Sequence, residues 1–159
     1  MSRPVLDPAS GSRMFYFDKE DPRVVFGDIR SESHILSDGR ALHIRPDEVM
    51  DFMDIPYPDE SFRVVVFDPP HLIRGGESAW MVLKYGLLPG HWQSVLAKGF
   101  AECFRVLKPH GVLIFKWNDV QIPVSRVLAL TPHKPLVGHR RVTKAAPGHW
   151  VTFLKDGVE

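Results

Sequence analysis

Short runs of β-branched and aromatic residues recur along the first half of the chain, and each ends at or beside an acidic side chain. The clearest run, Phe62–Phe67, is almost wholly apolar, as a buried strand requires, and Asp68 follows it directly. Pro69 and Pro70 end the strand, because proline cannot donate a ladder hydrogen bond. The pattern therefore predicts a carboxylate at the carboxyl end of a central strand, where ligands bind in open α/β sheets.

Three earlier runs predict strands of the same kind. They span residues 3–7, 24–28 and 48–52, and their acids are Asp7, Asp28 and Asp51. The carboxyl ends of parallel strands meet at one edge of a sheet, so we expect these acids and Asp68 to converge on one crevice. The alternative is that each acid only caps the helix or turn that follows it.

The best helical pattern spans residues 89–107, where apolar side chains recur at spacings of three and four. Pro89 suits its first turn, and Pro109 with Gly111 is expected to end it. Asp38-Gly39, between two short apolar pieces, predicts a hairpin over residues 34–44 in place of a crossover helix. Weaker patterns predict helical turns at 13–17, helices at 78–87 and 119–130, and strands at 112–117, 136–139 and 150–154.

This alternation predicts an α/β fold with a mostly parallel, doubly wound sheet, in which the final strands are antiparallel. With 159 residues, we expect a single domain over residues 1–159 and no separate target-recognition domain. Hydrophobic residues make up 44% and charged residues 25% of the chain, an ordinary globular composition. The net charge of +1 neither requires nor excludes nucleic acid as a partner.

The cysteine count and the hydropathy pattern further restrict the classes of protein to which this chain can belong. A single cysteine, Cys103, cannot form an internal disulfide, and no Cys-His cluster predicts a metal site. No apolar run approaches the length of a membrane span, and Asp7 and Pro8 interrupt any signal-peptide pattern. We therefore expect a cytoplasmic protein without a membrane partner.

The first predicted strand leads into a turn of small residues, Pro8–Ser12, and then towards a predicted helix start. Such a turn lets a ligand approach backbone N–H groups, although an ordinary strand-to-helix turn has the same composition. Asp28 follows about 20 residues later, the spacing of an acid that accepts from ribose hydroxyls.

Taken in chain order, these segments resemble class I S-adenosylmethionine-dependent methyltransferases, specifically the amino-methyltransferases of nucleic-acid bases of the compact phage and prophage type. Asp7–Ser12 resembles the first motif of the family, and Asp68–His71 resembles its Asp/Asn-Pro-Pro-aromatic motif. Residues 102–113 are similar to the segment that leads from a helix into the fifth strand. Two residues depart from the family pattern: Arg13 replaces a glycine and His71 replaces a larger aromatic side chain.

The resemblance implies a Rossmann-like class I fold, S-adenosyl-L-methionine as cofactor and no metal. It implies that the carboxylate of Asp68 and the carbonyl of Pro69 accept the two hydrogens of an exocyclic amine. Pro70 stiffens the backbone, and His71 stacks on the base; these four residues are the candidate catalytic set. The candidate cofactor-binding residues are Asp7, Pro8, Ala9, Ser10, Gly11, Asp28, Ile29, Asp51 and Phe52.

The resemblance further implies a nucleic-acid partner, DNA in preference to RNA, with adenine N6 as the favoured target. Candidate substrate contacts are Arg74, Lys116, Trp117 and Asn118, and further basic residues expected near the crevice are Lys84, Arg140, Arg141 and Lys144. A second copy or an accessory protein would supply target recognition. Two alternatives remain open: methylation of a protein glutamine or a small molecule, and a non-catalytic binding protein that keeps the cofactor fold.

Overall fold

The computed structural model describes residues 2–77, 79–138 and 148–157. Nine strands and three helices lie in these ranges. The strands are β1 (Val5–Asp7), β2 (Val24–Asp28), β3 (Glu32–Ile35), β4 (Ala41–Ile44), β5 (Glu48–Val49), β6 (Phe62–Phe67), β7 (Leu107–Asn118), β8 (Val137–Gly138) and β9 (Gly148–Leu154). The helices are α1 (Trp80–Tyr85), α2 (Trp92–Val106) and α3 (Val124–Leu128).

Seven of the strands form one sheet in the order β5-β2-β1-β6-β7-β9-β8. The first four pairings along that order are parallel, whereas β9 is antiparallel to both β7 and β8. The strand order reverses between β1 and β6, which is where open α/β sheets form a ligand crevice. The predicted fold class is confirmed: a mostly parallel, Rossmann-like sheet with an antiparallel C-terminal strand.

Helix α2 covers one face of the central strands. Its buried side chains pack against alternate residues of β6, β7 and β9, so the core lies between this helix and the sheet. Gly99 permits the close approach, because a Cβ at that position would lie 2.7 Å from Cζ of Phe67. The helix therefore fixes the strand whose carboxyl end carries Asp68.

The end of α2 differs from the prediction. Leu107 is already extended (φ −74°, ψ 136°) and pairs with Phe62, so β7 begins five residues before the predicted strand at 112–117. Pro109 and Gly111 lie inside this strand, and the helix ends before both of them. The boundary between α2 and β7 is set by pairing of Leu107 with β6, a long-range contact that the sequence pattern could not predict.

The predicted hairpin is confirmed, with β3 antiparallel to β4 and Gly39 at φ 82° in the turn. The predicted antiparallel pair at the C-terminus is also confirmed as β8 and β9. The third predicted strand shortens to β5, because residues 51–54 turn back on themselves through a bridge between Asp51 and Asp54.

The helical turns expected at 13–17 are wrong; this segment forms irregular turns. Arg13 has a left-handed backbone (φ 58°), which an α-helix does not allow. Phe15 packs edge-on to Trp150, and Tyr16 packs edge-on to Phe26. The loop thus covers part of the sheet face opposite α2 with aromatic rings in place of a helix.

The predicted helices at 78–87 and 119–130 form as the shorter α1 and α3. Asp119 accepts a hydrogen bond from the Val124 N–H at 2.8 Å, but the residue at the N-cap of α3 is Pro123. His139, Arg140, Arg141 and Lys144 lie outside the described residues. In the part of the chain that the structure describes, no helix combines the length and the apolar composition needed to cross a bilayer.

Candidate active site

A cavity of about 240 Å³ lies at the carboxyl ends of the parallel strands. Asp28, Asp51 and Asp68 line it together, as the sequence pattern predicts for acids at neighbouring strand ends. The loop after β1 forms one wall, and the segment between α1 and α2 forms another. Other lining residues are Pro8, Ala9, Ser10, Gly11, Ser12, Met14, Phe15, Ile29, Arg30, Met50, Phe52, Pro70, Lys84, Tyr85, Gly86, Leu87, Leu88, Pro89 and Val95.

The loop after β1 is fixed by the neighbouring strand. The Ser10 N–H donates to the carbonyl of Gly27 at 2.8 Å, and the Gly11 N–H donates to Asp28 Oδ2 at 2.8 Å. Gly11 lies in the left-handed region (φ 52°), which favours glycine. Asp28 therefore closes the loop as well as lining the cavity, and its second oxygen accepts from the Arg30 N–H at 2.9 Å.

The hydroxyl of Ser10 is buried against this cavity and has no hydrogen-bond partner within the described structure. A buried hydroxyl without a partner costs about 1–3 kcal/mol. Such a cost is expected where a ligand supplies the missing partner. Ala9 carries only a methyl group and Gly11 has no side chain, so the space beside this hydroxyl is accessible to that ligand.

Arg13 has a left-handed, glycine-like backbone (φ 58°). Its guanidinium lies 3.9 Å from the centroid of the Phe26 ring and donates to the carbonyl of Arg45 at 2.8 Å. It also pairs with Asp47 at 3.2 Å. The side chain is not part of the cavity lining and ties the loop after β1 to the segment between β4 and β5, so it leaves the cavity open.

Asp7 is fully buried and does not line the cavity. Its carboxyl accepts from the Tyr16 hydroxyl at 2.8 Å and from the Ala9 N–H at 3.1 Å. Burial raises the pKa of Asp7 to about 8, against the lowering effect of these two hydrogen bonds. Asp7 therefore stabilises the loop after β1 from the side that faces away from the cavity. Tyr16, which no sequence motif indicated, supports Asp7 through its hydroxyl.

The remaining predicted cofactor residues surround the cavity. Asp51 Oδ1 accepts from the Met53 N–H at 2.8 Å, which fixes the carboxylate in a tight turn. Phe52 packs edge-on to Phe67, and Ile29 is 64% exposed at the cavity rim. Both side chains offer apolar surface next to an acid.

Asp68 follows β6, whereas Asp28 ends β2 and Asp51 lies just after β5. Strand β1 separates β6 from β2 in the sheet, so Asp68 lies on the other side of the cavity from those two acids. Lys116, one strand further along the sheet, places its ammonium 3.7 Å from Asp68 Oδ2. Burial raises the pKa of Asp68 to about 6, and Lys116 partly offsets this effect. At neutral pH the group is therefore a carboxylate acceptor that is largely shielded from water.

The other residues of the Asp-Pro-Pro-His stretch divide between cavity and core. Pro70 lines the cavity, whereas Pro69 is buried outside the lining. His71 is 1% exposed and packs edge-on to Tyr85 and Trp117, with ring centroids 4.9 and 6.2 Å away. Burial lowers the pKa of His71 to about 4, so the ring is neutral at physiological pH. Tyr85, not His71, presents its side chain to the cavity.

Of the candidate substrate contacts, only Lys116 contacts a cavity-lining acid. Trp117 belongs to the core, where its indole N–H donates to the carbonyl of Ile122 at 2.8 Å. Arg74 is exposed, and its backbone is held by Gln121. Asn118 ends β7 opposite Gly148. None of these three lines the cavity.

The segment over the cavity includes Lys84, which was predicted to lie near the crevice, and is held by Arg30, which sequence reasoning did not single out. Arg30 donates to the carbonyls of Leu83 and Lys84 at 2.9 and 3.1 Å. Its Nε also lies 3.5 Å from Asp28 Oδ1. One guanidinium thereby links the β2 acid to the segment over the cavity. No spacing or motif indicates this link, because the residues are more than 50 positions apart.

No group of three or more His, Cys, Asp or Glu side chains within residues 2–77, 79–138 and 148–157 is arranged to hold a metal ion. The polar groups at the cavity include carboxylates and the unpartnered hydroxyl of Ser10, whereas the N–H groups of Ala9, Ser10 and Gly11 already donate within the protein. Together with the apolar surface of Phe52 and Leu88, this set suits an organic ligand that has both polar and apolar parts.

Neither a family model nor a curated protein matches the sequence. Solved structures do match. A protein of Pyrococcus horikoshii OT3 superposes with a TM-score of 0.60 at 16% identity, over 96% of this chain and 81% of that one. A SAM-dependent methyltransferase of Methanosarcina mazei gives 0.54 at 12% identity, over 97% and 92%. A geranyl diphosphate methyltransferase, solved with GPP and sinefungin, gives 0.53 at 10% identity, over 99% and 74%.

These matches cover nearly the whole chain at low identity. The protein therefore has the Rossmann-like fold of the S-adenosylmethionine-dependent methyltransferases. Its cavity lies at the sheet edge where strand order reverses, the ligand site that such a topology creates.

Proposed function

We propose that the protein is an S-adenosylmethionine-dependent N-methyltransferase that acts on the exocyclic amine of a nucleic-acid base, with adenine N6 of DNA as the favoured target. One observation carries the proposal. Asp68, which begins the Asp-Pro-Pro stretch, lines the same cavity as Ser10, Gly11 and Asp51. A cofactor wall and a substrate wall therefore face each other across one space.

The residues on the first wall fit the proposed cofactor. The unpartnered hydroxyl of Ser10 suits its amino-acid portion, and the carboxylates of Asp28 and Asp51 suit its nucleoside hydroxyl and amino groups. Phe52 and Ile29 supply apolar surface for a flat ring. When bound, S-adenosylmethionine supplies an electrophilic methyl group.

On the second wall, Asp68 accepts one N–H of the target amine. The proposed second acceptor is the carbonyl of Pro69, which lies between the lining residues Asp68 and Pro70 but is not itself in the lining. An amine conjugated with its ring is a poor nucleophile, and two fixed acceptors favour a pyramidal nitrogen with an available lone pair. The stiff backbone at Pro69 and Pro70 sets the acceptors before substrate arrives. Because Asp68 is shielded from water, its hydrogen bond to the amine is strengthened.

The location of His71 modifies the expected base contact. His71 is buried behind Tyr85, so we assign stacking on the base to Tyr85 and support of that ring to His71. A target base must leave its helix to reach such a cavity. We further propose that a second copy or an accessory protein supplies recognition of a longer target sequence.

Transfer of a labelled methyl group tests the proposal. The protein is incubated with methyl-labelled cofactor and, in separate reactions, with single- and double-stranded DNA, RNA, nucleosides, a glutamine-containing peptide and small amines. We expect label in DNA adenine. Label only in the peptide or a small molecule would replace the proposed substrate, and no label anywhere would contradict the activity.

Two variants test the cofactor wall and the substrate wall of the cavity separately. Asp68→Ala should abolish transfer and leave cofactor affinity in calorimetry within about twofold, because it removes only an amine acceptor. Asp28→Ala should weaken cofactor affinity instead. Asp54→Ala, which changes an exposed acid in the neighbouring turn, is the matched control and should alter neither.

A further inference from the structure

A second cavity, of about 720 Å³, adjoins the first on the side of the β3–β4 hairpin. We call it the hairpin groove. Four residues line both cavities: Gly11, Ser12, Met14 and Lys84. The remaining lining residues are Arg3, Arg13, Lys19, Glu20, Phe26, Leu36, Arg40, Ala41, Leu42, His43, Arg45 and Asp47. The groove therefore opens directly beside the candidate active site.

The hairpin groove concentrates positive charge. Six of its lining residues are Lys or Arg and two are acidic, whereas the whole chain carries a net charge of only +1. The rest of the chain is consequently net acidic. A concave surface with one sign of charge attracts ligands of the opposite sign.

Part of this charge is already neutralised. Asp47 pairs with Arg3 at 2.7 Å and with Arg13 at 3.2 Å, and Asp38 pairs with Arg40 at 2.6 Å. Lys19, Arg45 and Lys84 have no carboxylate partner among the residues that the structure describes. They are the cations available to a ligand.

Exposed aromatic rings border the same groove. Phe17 is fully exposed on the loop between Met14 and Lys19, both of which line the groove. Trp80 is 50% exposed, and the Lys84 ammonium lies 5.1 Å from the centroid of its ring. Cations interleaved with exposed aromatic rings are the combination that binds single-stranded nucleic acid, phosphates on the cations and bases on the rings.

We infer that the hairpin groove binds single-stranded nucleic acid and leads the strand to the candidate active site. The inference rests on the proposed function, since it deepens the nucleic-acid substrate class. An acidic peptide would also satisfy Lys19 and Arg45, but it has no use for exposed rings at Phe17 and Trp80. A single strand is favoured over a duplex because a base must be unstacked before its exocyclic amine can enter the cavity.

Binding is measured by fluorescence anisotropy with a labelled single-stranded DNA of about ten nucleotides, in the absence of cofactor. The double variant Lys19→Gln/Arg45→Gln should weaken binding at least about tenfold at low salt. It should also reduce the dependence of log K on log salt by about 1.4, because each lost phosphate contact in a single strand contributes about 0.7. Phe17→Ser should weaken binding by about fivefold or more and leave the salt dependence unchanged.

The matched control is Arg63→Gln/Lys108→Gln, which removes two basic residues beside Gly111, at the amino-terminal ends of β6 and β7. It should bind as the unmodified protein does. Ultraviolet cross-linking of the unmodified protein should place the label on Phe17 or Trp80, a readout that needs no variant. Equal weakening in both double variants, cross-links elsewhere, or tighter binding of duplex DNA or polyglutamate would overturn the inference.

The anisotropy assay involves no methyl transfer, so its outcome is separable from that of the proposed function. If the groove variants bind DNA as the unmodified protein does, and the unmodified protein transfers labelled methyl groups to DNA, the groove inference is wrong and the proposed activity is supported. If the unmodified protein binds DNA through the groove but transfers no label, the activity fails and the binding site stands.

Discussion

The ammonium of Lys116 lies 3.7 Å from Asp68 Oδ2, on adjacent strands of the sheet. The same ammonium lies 5.2 Å from the centroid of the Phe15 ring and 5.7 Å from that of Trp150. Among the residues that the structure describes, Asp68 forms one ion pair, and aromatic rings contact its cation. This pair ties the ionisation of the proposed amine acceptor to Lys116, which the sequence analysis predicted as a substrate contact.

Replacing Lys116 should change the pH dependence of methyl transfer. Burial raises the pKa of Asp68 to about 6 and Lys116 lowers it, so activity should fall as the pH drops below 6. In Lys116→Met the pKa rises further, and the acid limb of the rate profile should move upward by roughly one pH unit or more. Lys116→Arg keeps the charge and should keep the limb near its original position.

The measurement is the rate of label transfer between pH 5 and pH 9, together with the ¹³C chemical shift of the Asp68 carboxyl. Lys98→Met, on the exposed side of α2, is the control for the loss of one positive charge. An unchanged acid limb in Lys116→Met would show that the pair does not set the ionisation of Asp68.

Asp7 should couple folding stability to pH. Burial raises the pKa of Asp7 from 3.8 to about 8, so the folded chain retains a proton that the unfolded chain releases near pH 4. The stabilisation is complete below pH 4 and is lost as the pH rises through 8. Asp7→Asn removes this titration and keeps an oxygen that can accept from the Ala9 N–H.

The free energy of unfolding of Asp7→Asn, relative to the unmodified protein, should therefore increase between pH 4 and pH 8. The increase should reach up to about 1.4 kcal/mol per pH unit. Urea denaturation at pH 5, 7 and 9 measures it, and Asp54→Asn is the exposed control. A difference that stays constant with pH would mean that Asp7 is ionised in the folded protein.

Arg30 should hold the cover of the cavity. In Arg30→Met the carbonyls of Leu83 and Lys84 lose their donors, and Asp28 loses a cation 3.5 Å away. We expect faster hydrogen exchange in residues 83–88 and cofactor affinity weakened by roughly fivefold or more, since one charge-assisted contact contributes about 1.5–3 kcal/mol. Arg23→Met, which breaks an exposed pair with Asp21, should change neither quantity.

His71→Phe should be tolerated by the fold. The Nε2 atom of His71 is buried without a hydrogen-bond partner within the described structure, so losing a polar ring there should change the free energy of unfolding by no more than about 1 kcal/mol at pH 7. The pKa of His71 is lowered to about 4, so its contribution to stability is present above pH 6.5 and is lost as the pH falls towards 4. Denaturation curves at pH 7 and pH 5 test this, and the variant should lack that acid-side loss.

Methyl transfer by the same variant tests the role of the side chain. If His71 only supports Tyr85, as its burial indicates, His71→Phe should retain most of the activity, while Tyr85→Ala should lose it. The opposite order would return the stacking role to His71.

The apolar runs and the acids at their ends were sufficient to predict the sheet and the meeting of three acids at one cavity. Two prolines end β6, and the carboxyl ends of parallel strands share one edge of the sheet, so the pattern predicted that Asp28, Asp51 and Asp68 meet. Small residues at 8–12 predicted the loop on the cofactor side for a similar local reason: they leave the backbone accessible.

Only the tertiary structure decided which face each neighbouring side chain occupies. Lys116 and Trp117 are adjacent in sequence, yet one reaches Asp68 and the other enters the core, because successive residues of a strand point to opposite faces. Contacts between separate segments likewise decided the positions of two other residues. Asp7 is buried and accepts a hydrogen bond from the Tyr16 hydroxyl, and Arg30 donates to the Leu83 carbonyl in the segment over the cavity. The local sequence pattern determines where the chain turns and which strand ends carry acids. The burial, the hydrogen-bond partners and the ionisation of each acid depend on segments that are far apart in sequence and meet only in the folded protein.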